Sequence, residues 1–151
     1  MTITHDFPDF GLTPDERREA VRGHYYEWPG MDGARGEIWC YSDQFSYRPG
    51  ETVTLHVSST APQFAIVVAR DGASETKVFE KQGLSARWQD TPDQCSVEGC
   101  GWDATFDFRV GEDWPSGAYR VTLTADGRDG GIIRSHHLFI VAPIAGRKPG
   151  R

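Results

Sequence analysis

The sequence predicts an all-β domain, a two-layer antiparallel β-sandwich preceded by an arm with one short helix. Three observations carry this reading. From residue 37 onward apolar side chains recur with a period of two, the alternating runs are separated by turns rich in Gly and Pro, and the joins leave almost no room for helices between strands. A period-two run presents one apolar face, and two such faces close a core about 10 Å thick. A length of 151 residues fits one domain with one sizeable core. A doubly wound α/β fold fails because parallel neighbours need crossover helices. A small barrel is the alternative architecture.

The elements follow in chain order. Thr13-Pro14-Asp15-Glu16 reads as a helix start: Thr13 caps, Pro14 suits the first helical position, and Glu16 completes a capping box. Gly23 ends this charged helix. The aromatic crossing His24-Tyr25-Tyr26-Glu27-Trp28-Pro29-Gly30 then leads into a Gly-rich connection. Residues 1–35 form this arm, 36–143 the sandwich and 144–151 a basic tail expected to be flexible.

The first strand is expected at 37–41, with Ile38 and Cys40 on one face and Trp39 and Tyr41 on the other. Tyr47-Arg48-Pro49-Gly50 is a turn signal. Residues 52–57 alternate most cleanly: Val53, Leu55 and Val57 point inward, and Thr52, Thr54 and His56 outward toward solvent. Residues 64–69 are apolar on both faces, as in a central strand, and 77–80 is a short edge candidate. A long excursion over 81–102 carries Trp88, Trp102 and the pair Cys95 and Cys100. Loops of that length tend to be functional or mobile. Alternation returns with Ala104, Phe106, Phe108 and Val110, then with Tyr119, Val121 and Leu123 after Trp114-Pro115-Ser116-Gly117. Asp126-Gly127-Arg128-Asp129-Gly130-Gly131 is a hairpin connection, and 132–141 a final long strand that Pro143 stops. The total is about seven strands.

Charge and cysteine usage narrow the function classes. Sixteen Lys and Arg against 22 Asp and Glu give a net charge of −6, which supplies no general attraction for nucleic acid or an anionic membrane. The opening residues lack the basic start and apolar run of a signal peptide, and no run is long enough to span a bilayer, so a cytoplasmic location is expected. Three cysteines are an odd number, and the spacing of Cys95 and Cys100 is not that of a zinc site. Free thiols are expected, with a local disulfide between Cys95 and Cys100, and then metal or redox chemistry, as the alternatives.

Catalytic motifs are missing. Neither a nucleophile elbow nor a phosphate loop occurs. His136 and His137 are adjacent in a strand and point to opposite faces, so they do not make one metal site. Asp126 and Asp129 lack the alternation of a calcium loop, and a solvated turn is the simpler reading. The strongest peculiarity is aromatic: Trp88, Trp102 and Trp114 in or beside the excursion, and Tyr25, Tyr26 and Trp28 in the arm. Such side chains close the ends of a sandwich, anchor a protein interface or stack on a small ligand or glycan. One chain does not separate the three.

Four runs carry a resemblance. They are 36–43 (Gly-Glu-Ile-Trp-Cys-Tyr-Ser-Asp), 45–58 (Phe-Ser-Tyr-Arg-Pro-Gly-Glu-Thr-Val-Thr-Leu-His-Val-Ser), Ala69-Arg70-Asp71-Gly72, and 114–123 (Trp-Pro-Ser-Gly-Ala-Tyr-Arg-Val-Thr-Leu). The Tyr-x-Pro-Gly-Glu-x-Val pattern recurs in immunoglobulin-like sandwiches. Together the runs resemble the amino-terminal β-sandwich region of the large subunit of N,N-dimethylformamidase-like proteins, over about residues 36–142. The resemblance implies an immunoglobulin-like sandwich associated with an amide-hydrolysing enzyme. It implies too that the enzyme's metal centre, held by tyrosines and a carboxylate, lies in a longer carboxy-terminal region. None of those ligands falls in the quoted runs, so no catalytic, cofactor-binding or metal residue is assigned to this chain, and any metal is expected in a partner polypeptide.

The expected role is a non-catalytic interaction domain or small subunit of a larger assembly, with Tyr25, Tyr26, Trp28, Trp88, Trp102 and Trp114 as contact residues and a larger protein subunit as partner. Two alternatives stand beside it: a carbohydrate or small-ligand binding module, and a chain that completes the active site of a heteromeric amide hydrolase.

Overall fold

The computed structural model describes residues 34–92 and 94–145. The expected helix, Tyr25, Tyr26, Trp28 and most of the basic tail lie outside the described residues. Eight strands, β1 (Ile38–Ser42), β2 (Ser46–Tyr47), β3 (Thr52–Ser59), β4 (Gln63–Arg70), β5 (Thr76–Ser85), β6 (Phe106–Arg109), β7 (Gly117–Asp126) and β8 (Ile132–Val141), accompany one helical turn, α1 (Cys95–Glu98). They form a three-stranded sheet in the order β1-β3-β6 and a five-stranded sheet in the order β2-β8-β7-β4-β5. This is the two-layer sandwich that the alternation predicts.

The interior is built from the period-two faces. Val53, Leu55 and Val57 of β3 meet Phe64, Ile66 and Val68 of β4, Tyr119, Val121 and Leu123 of β7, and Phe139 and Val141 of β8. Val53, Leu55, Tyr119, Val121 and Leu123 are each 0 % exposed. Phe106 is only half-buried and packs beside Phe79, with ring centroids 6.2 Å apart. At one end aromatic rings form a ladder: Trp114 on Tyr119 at 5.3 Å, Tyr119 on Phe139 at 5.6 Å, and Phe139 edge-on to Tyr47 at 5.6 Å. Gly111 is required here by close approach, because a Cβ at that position would overlap the Trp114 indole.

Turns fix the register. The Tyr119 hydroxyl donates to the Pro115 carbonyl at 2.6 Å, four residues back, which is the tyrosine-corner arrangement of immunoglobulin-like sandwiches. The β7–β8 hairpin pairs ten residues from Gly117↔Val141 to Asp126↔Ile132. Asp129 is spent on its turn: Oδ1 accepts the Gly131 N–H at 2.9 Å, and Oδ2 lies 4.0 Å from Arg35.

Three elements depart from the sequence reading. β5 runs ten residues rather than four, so the excursion starts at 86 and not at 81. Its alternation is polar and broken by a shift of register against β4, with Gly83 at φ 68°, so the ladder hydrogen bonds hold a strand that hydrophobicity does not announce. β6 spans four residues, shorter than the 104–110 run expected. Tyr47, read as part of a turn, lies in β2, which pairs parallel to β8 in an otherwise antiparallel sandwich. A two-residue strand is too short to show a period.

Leu55→Ala is expected to lower the unfolding free energy by about 2–5 kcal/mol through lost burial and a cavity between the sheets. Tyr119→Phe is expected to cost about 1 kcal/mol by orphaning the Pro115 carbonyl. Urea unfolding monitored by tryptophan fluorescence measures both.

Candidate interaction face

The segment between β5 and β6 crosses from one sheet to the other and lies along β3. Its outgoing leg begins where Ala86 N–H donates to Pro62 O at 2.9 Å and Ser59 N–H to Arg87 O at 3.0 Å. Its return leg ends where Thr105 N–H donates to Leu55 O at 2.8 Å. Beyond β6, β3 would leave open an edge of unpaired backbone groups, a costly arrangement when buried. The two legs fill it.

Gln89, buried at 7 % exposure, joins them. Its side-chain amide acts like a peptide group: Nε2 donates to Val57 O at 2.9 Å and to Asp103 O at 3.1 Å, and Oε1 accepts Asp103 N–H at 2.7 Å. Ser58 completes the arrangement by accepting the Gln89 N–H and donating to the Gln89 carbonyl, both at 2.8 Å. At the rim Arg87 and Asp103 form an exposed ion pair at 2.5 Å.

On the outer face of β1 and β3 the Tyr41 ring stacks on His56, with centroids 4.7 Å apart and planes 10° from parallel, and lies 5.4 Å from the Trp102 ring. Trp102 ties the stack from above. Its N–H donates to the Tyr41 hydroxyl at 3.0 Å, and its carbonyl lies 2.7 Å from His56 Nδ1. A carbonyl only accepts, so Nδ1 carries a proton in this contact. His56, expected in solvent, is therefore half-buried beneath the returning leg. Burial raises the Tyr41 pKa above its ordinary value of 10.0; the Trp102 amide opposes that shift, and Cys100 adds to it.

The three tryptophans of this region do not form one site. Trp88 and Trp102 converge on Asp90, Trp88 Nε1 donating to its carboxylate at 3.0 Å and Trp102 Nε1 to its carbonyl at 3.1 Å. Trp102 is 6 % exposed and Trp88 half-buried. Trp114 belongs to the aromatic ladder inside the sandwich end. Structural closure thus accounts for Trp102 and Trp114, while Trp88 shares the outer segment with Val97, which is 80 % exposed. A shallow hollow of about 250 Å³ opens elsewhere, lined by Gln63, Phe64, Gln82, Gly83, Asp126 and Ile132 among others; no tryptophan contributes to it.

Sequence reasoning missed a polar seam between β1 and β8. Ser42 Oγ lies 2.8 Å from His137 Nε2 and donates to Gln44 O at 2.6 Å, and Ser42 N–H points to the same ring nitrogen at 3.3 Å. Cys40 bonds Ser135 alongside. Alternation puts Cys40 on one face with Ile38 and sets His137 opposite His136, but the meeting of these side chains across two sheets has no local signal. Burial lowers the His137 pKa below its ordinary 6.5. Among the described residues no group of three or more His, Cys, Asp or Glu side chains is placed to hold a metal ion.

A family model described as N,N-dimethylformamidase beta subunit-like, C-terminal, matches residues 66–149, more than half of the chain. The match begins within β4 and includes β5 to β8; the quoted resemblance at residues 36–58 precedes it. No curated protein matches the sequence. Similar solved structures include the sporulation control protein Spo0M from Bacillus subtilis, at 15 % identity and TM-score 0.46, covering 73 % of this chain and 50 % of that one. A superoxide reductase (neelaredoxin) from Ignicoccus hospitalis is similar at 6 % identity and TM-score 0.45, covering 75 % and 87 %. Murine CRIg is similar at 12 % identity and TM-score 0.45, covering 70 % and 97 %. The chain thus spans half the length of Spo0M, and likenesses of this degree carry no functional argument.

Gln89→Ala is expected to destabilise the domain by about 1–3 kcal/mol, because it removes the partner of the Asp103 N–H and carbonyl and leaves Val57 O with only its longer bond from Thr105; hydrogen exchange at the Asp103 amide should accelerate with it. The His137 shift gives a pH dependence of known sign. The unfolded chain takes up a proton at 6.5 while the folded ring resists it, so this contribution to stability declines as pH falls below about 6.5. His137→Gln should flatten that part of the curve of urea midpoint against pH.

Proposed function

The chain belongs to the N,N-dimethylformamidase beta subunit-like, C-terminal family, and from that premise we propose that it is a non-catalytic interaction domain or small subunit of a larger amide-hydrolysing assembly. The observation that carries the proposal is the segment 86–105. Its legs are fastened to β3 by Gln89, Ser58 and Thr105, while its outer part presents Trp88 and the 80 %-exposed Val97. A surface fixed in advance loses little conformational entropy on docking, and an aromatic beside an aliphatic side chain makes a suitable anchor. The partner proposed is the larger, metal-bearing polypeptide of the same assembly, and the setting proposed is the cytoplasm.

The polar groups of the domain support a scaffold role. The Asp129 and Gln89 side chains, the Tyr41 hydroxyl and His56 Nδ1 are engaged in holding turns and the crossing segment. The carbohydrate or small-ligand reading calls for tryptophans around a concavity; the hollow described among residues 34–145 is lined by other residues. Tyr25, Tyr26 and Trp28 are kept as proposed contact residues of the arm.

Co-expression of the full chain with the metal-bearing polypeptide of a dimethylformamidase-type amide hydrolase tests this. Joint elution is expected, and Trp88→Ala combined with Val97→Asp should weaken it at least about 10-fold with the circular dichroism unchanged. Equal retention of that variant would remove the segment from the interface. Amide hydrolysis that appears only on mixing the two chains would favour the reading in which this chain completes the active site.

A further inference from the structure

The chain's three cysteines fall into two chemical classes. Cys40 faces the interior from β1, and burial pushes its thiol up to about 12, with a Ser135 hydrogen bond opposing the shift. Such a thiol stays protonated across the neutral range. Cys95 and Cys100 are free, and like Cys40 they are partly exposed.

The backbone brings these two together. Cys95 opens α1, and the Gly99 N–H donates back to the Cys95 carbonyl at 3.0 Å. Gly99 at φ 80° and Gly101 at φ 64° then turn the chain on either side of Cys100. A Cβ on either glycine would stand in open space, with nothing within 4 Å. These positions therefore ask for glycine by their left-handed backbone and not by crowding. Cys95 thereby stands near enough to Cys100 to add to the upward shift of the Cys100 thiol.

We propose that Cys95 and Cys100 form a dithiol exchange site that takes a small disulfide of the glutathione class and closes to a disulfide within the loop. One cysteine, as thiolate, attacks a sulfur of the small disulfide. That S–S bond breaks, one small thiol leaves and takes a proton from solvent, and a mixed disulfide remains on the protein. The second cysteine gives its proton to solvent and attacks the protein sulfur of the mixed disulfide, expelling the second small thiol. The protein loses two electrons and the small disulfide gains them. Burial raises the Cys100 thiol above its ordinary value of 9.0, so exchange is expected to accelerate with pH across the neutral range. Cys40 takes no part. The site stands independently of whether the segment docks on a partner.

The full chain, reduced and then equilibrated in glutathione buffers from fully reduced to fully oxidised, tests the proposal by alkylation, mass spectrometry and peptide mapping. The expected product is a monomer lighter by two hydrogens, cross-linked between Cys95 and Cys100, with Cys40 left as a free thiol. Cys95→Ser and Cys100→Ser are each expected to stop at one glutathione adduct, and Cys40→Ala to close as the parent does. Survival of all three thiols in the most oxidising buffer would overturn the site. So would a cross-link that includes Cys40 or joins two molecules. Circular dichroism of the serine variants confirms that each result comes from a folded chain.

Discussion

Val53, Leu55 and Val57 enter the space between the sheets from one side, and Tyr119, Val121 and Leu123 enter it from the other; all six are shut off from water. The burial of those facing stripes is the constraint on which the rest of the structure depends. It fixes which face of each strand is inner and forbids a slip of one residue, since a slip would turn every apolar side chain outward. It also leaves one kind of problem unsolved. β3 is longer than its neighbour β6, which pairs with it only from Thr52 to Leu55, so the upper part of its edge needs partners that the sheet does not supply.

The crossing segment supplies them with side chains as well as backbone. The Gln89 amide bonds both Val57 and the return leg, Ser58 and Gln89 exchange hydrogen bonds, and Thr105 donates to Val57 O while accepting the Val57 N–H. A buried polar network is stabilising only when its members are satisfied. Satisfying this one immobilises a segment that its Gly, Pro and Asp content would otherwise leave loose. The same fastening sets Trp102 over Tyr41 and His56, and it carries Trp88, Val97 and the paired thiols on the outer side. The proposed docking role and the proposed thiol chemistry therefore use different parts of one anchored segment: the apolar side chains of its surface, and the curvature that its two left-handed glycines allow.

The aromatic residues show how one composition serves unlike ends. Trp114 continues the ladder through Tyr119 and Phe139, Trp102 spends its indole N–H on Asp90, and Trp88 stays half in solvent. The polar seam of Ser42, His137, Cys40 and Ser135 is the interior's exception. Its side chains lie where alternation puts apolar ones, and hydrogen bonds across the two sheets offset their burial.

Alternation alone determined the inward residues of β3 and β7, the hairpin at Asp126 to Gly131, the existence of β8, and hence the sandwich class, because a strand exposes its burial pattern to its own local sequence. The same information named Trp88 and Trp102 as belonging to the excursion and put His136 and His137 on opposite faces. It did not reveal β2, the full length of β5, the bonding of Gln89, the half-burial of His56 or the meeting of Ser42 with His137. Each of those rests on a partner distant in sequence: β8 for β2, β4 for β5, the return leg for Gln89 and His56, the opposite sheet for Ser42. Period and propensity report what a residue's neighbours along the chain require. Only the closing of the two sheets chooses its neighbours in space, and these decide which polar side chains are satisfied and which indole is covered.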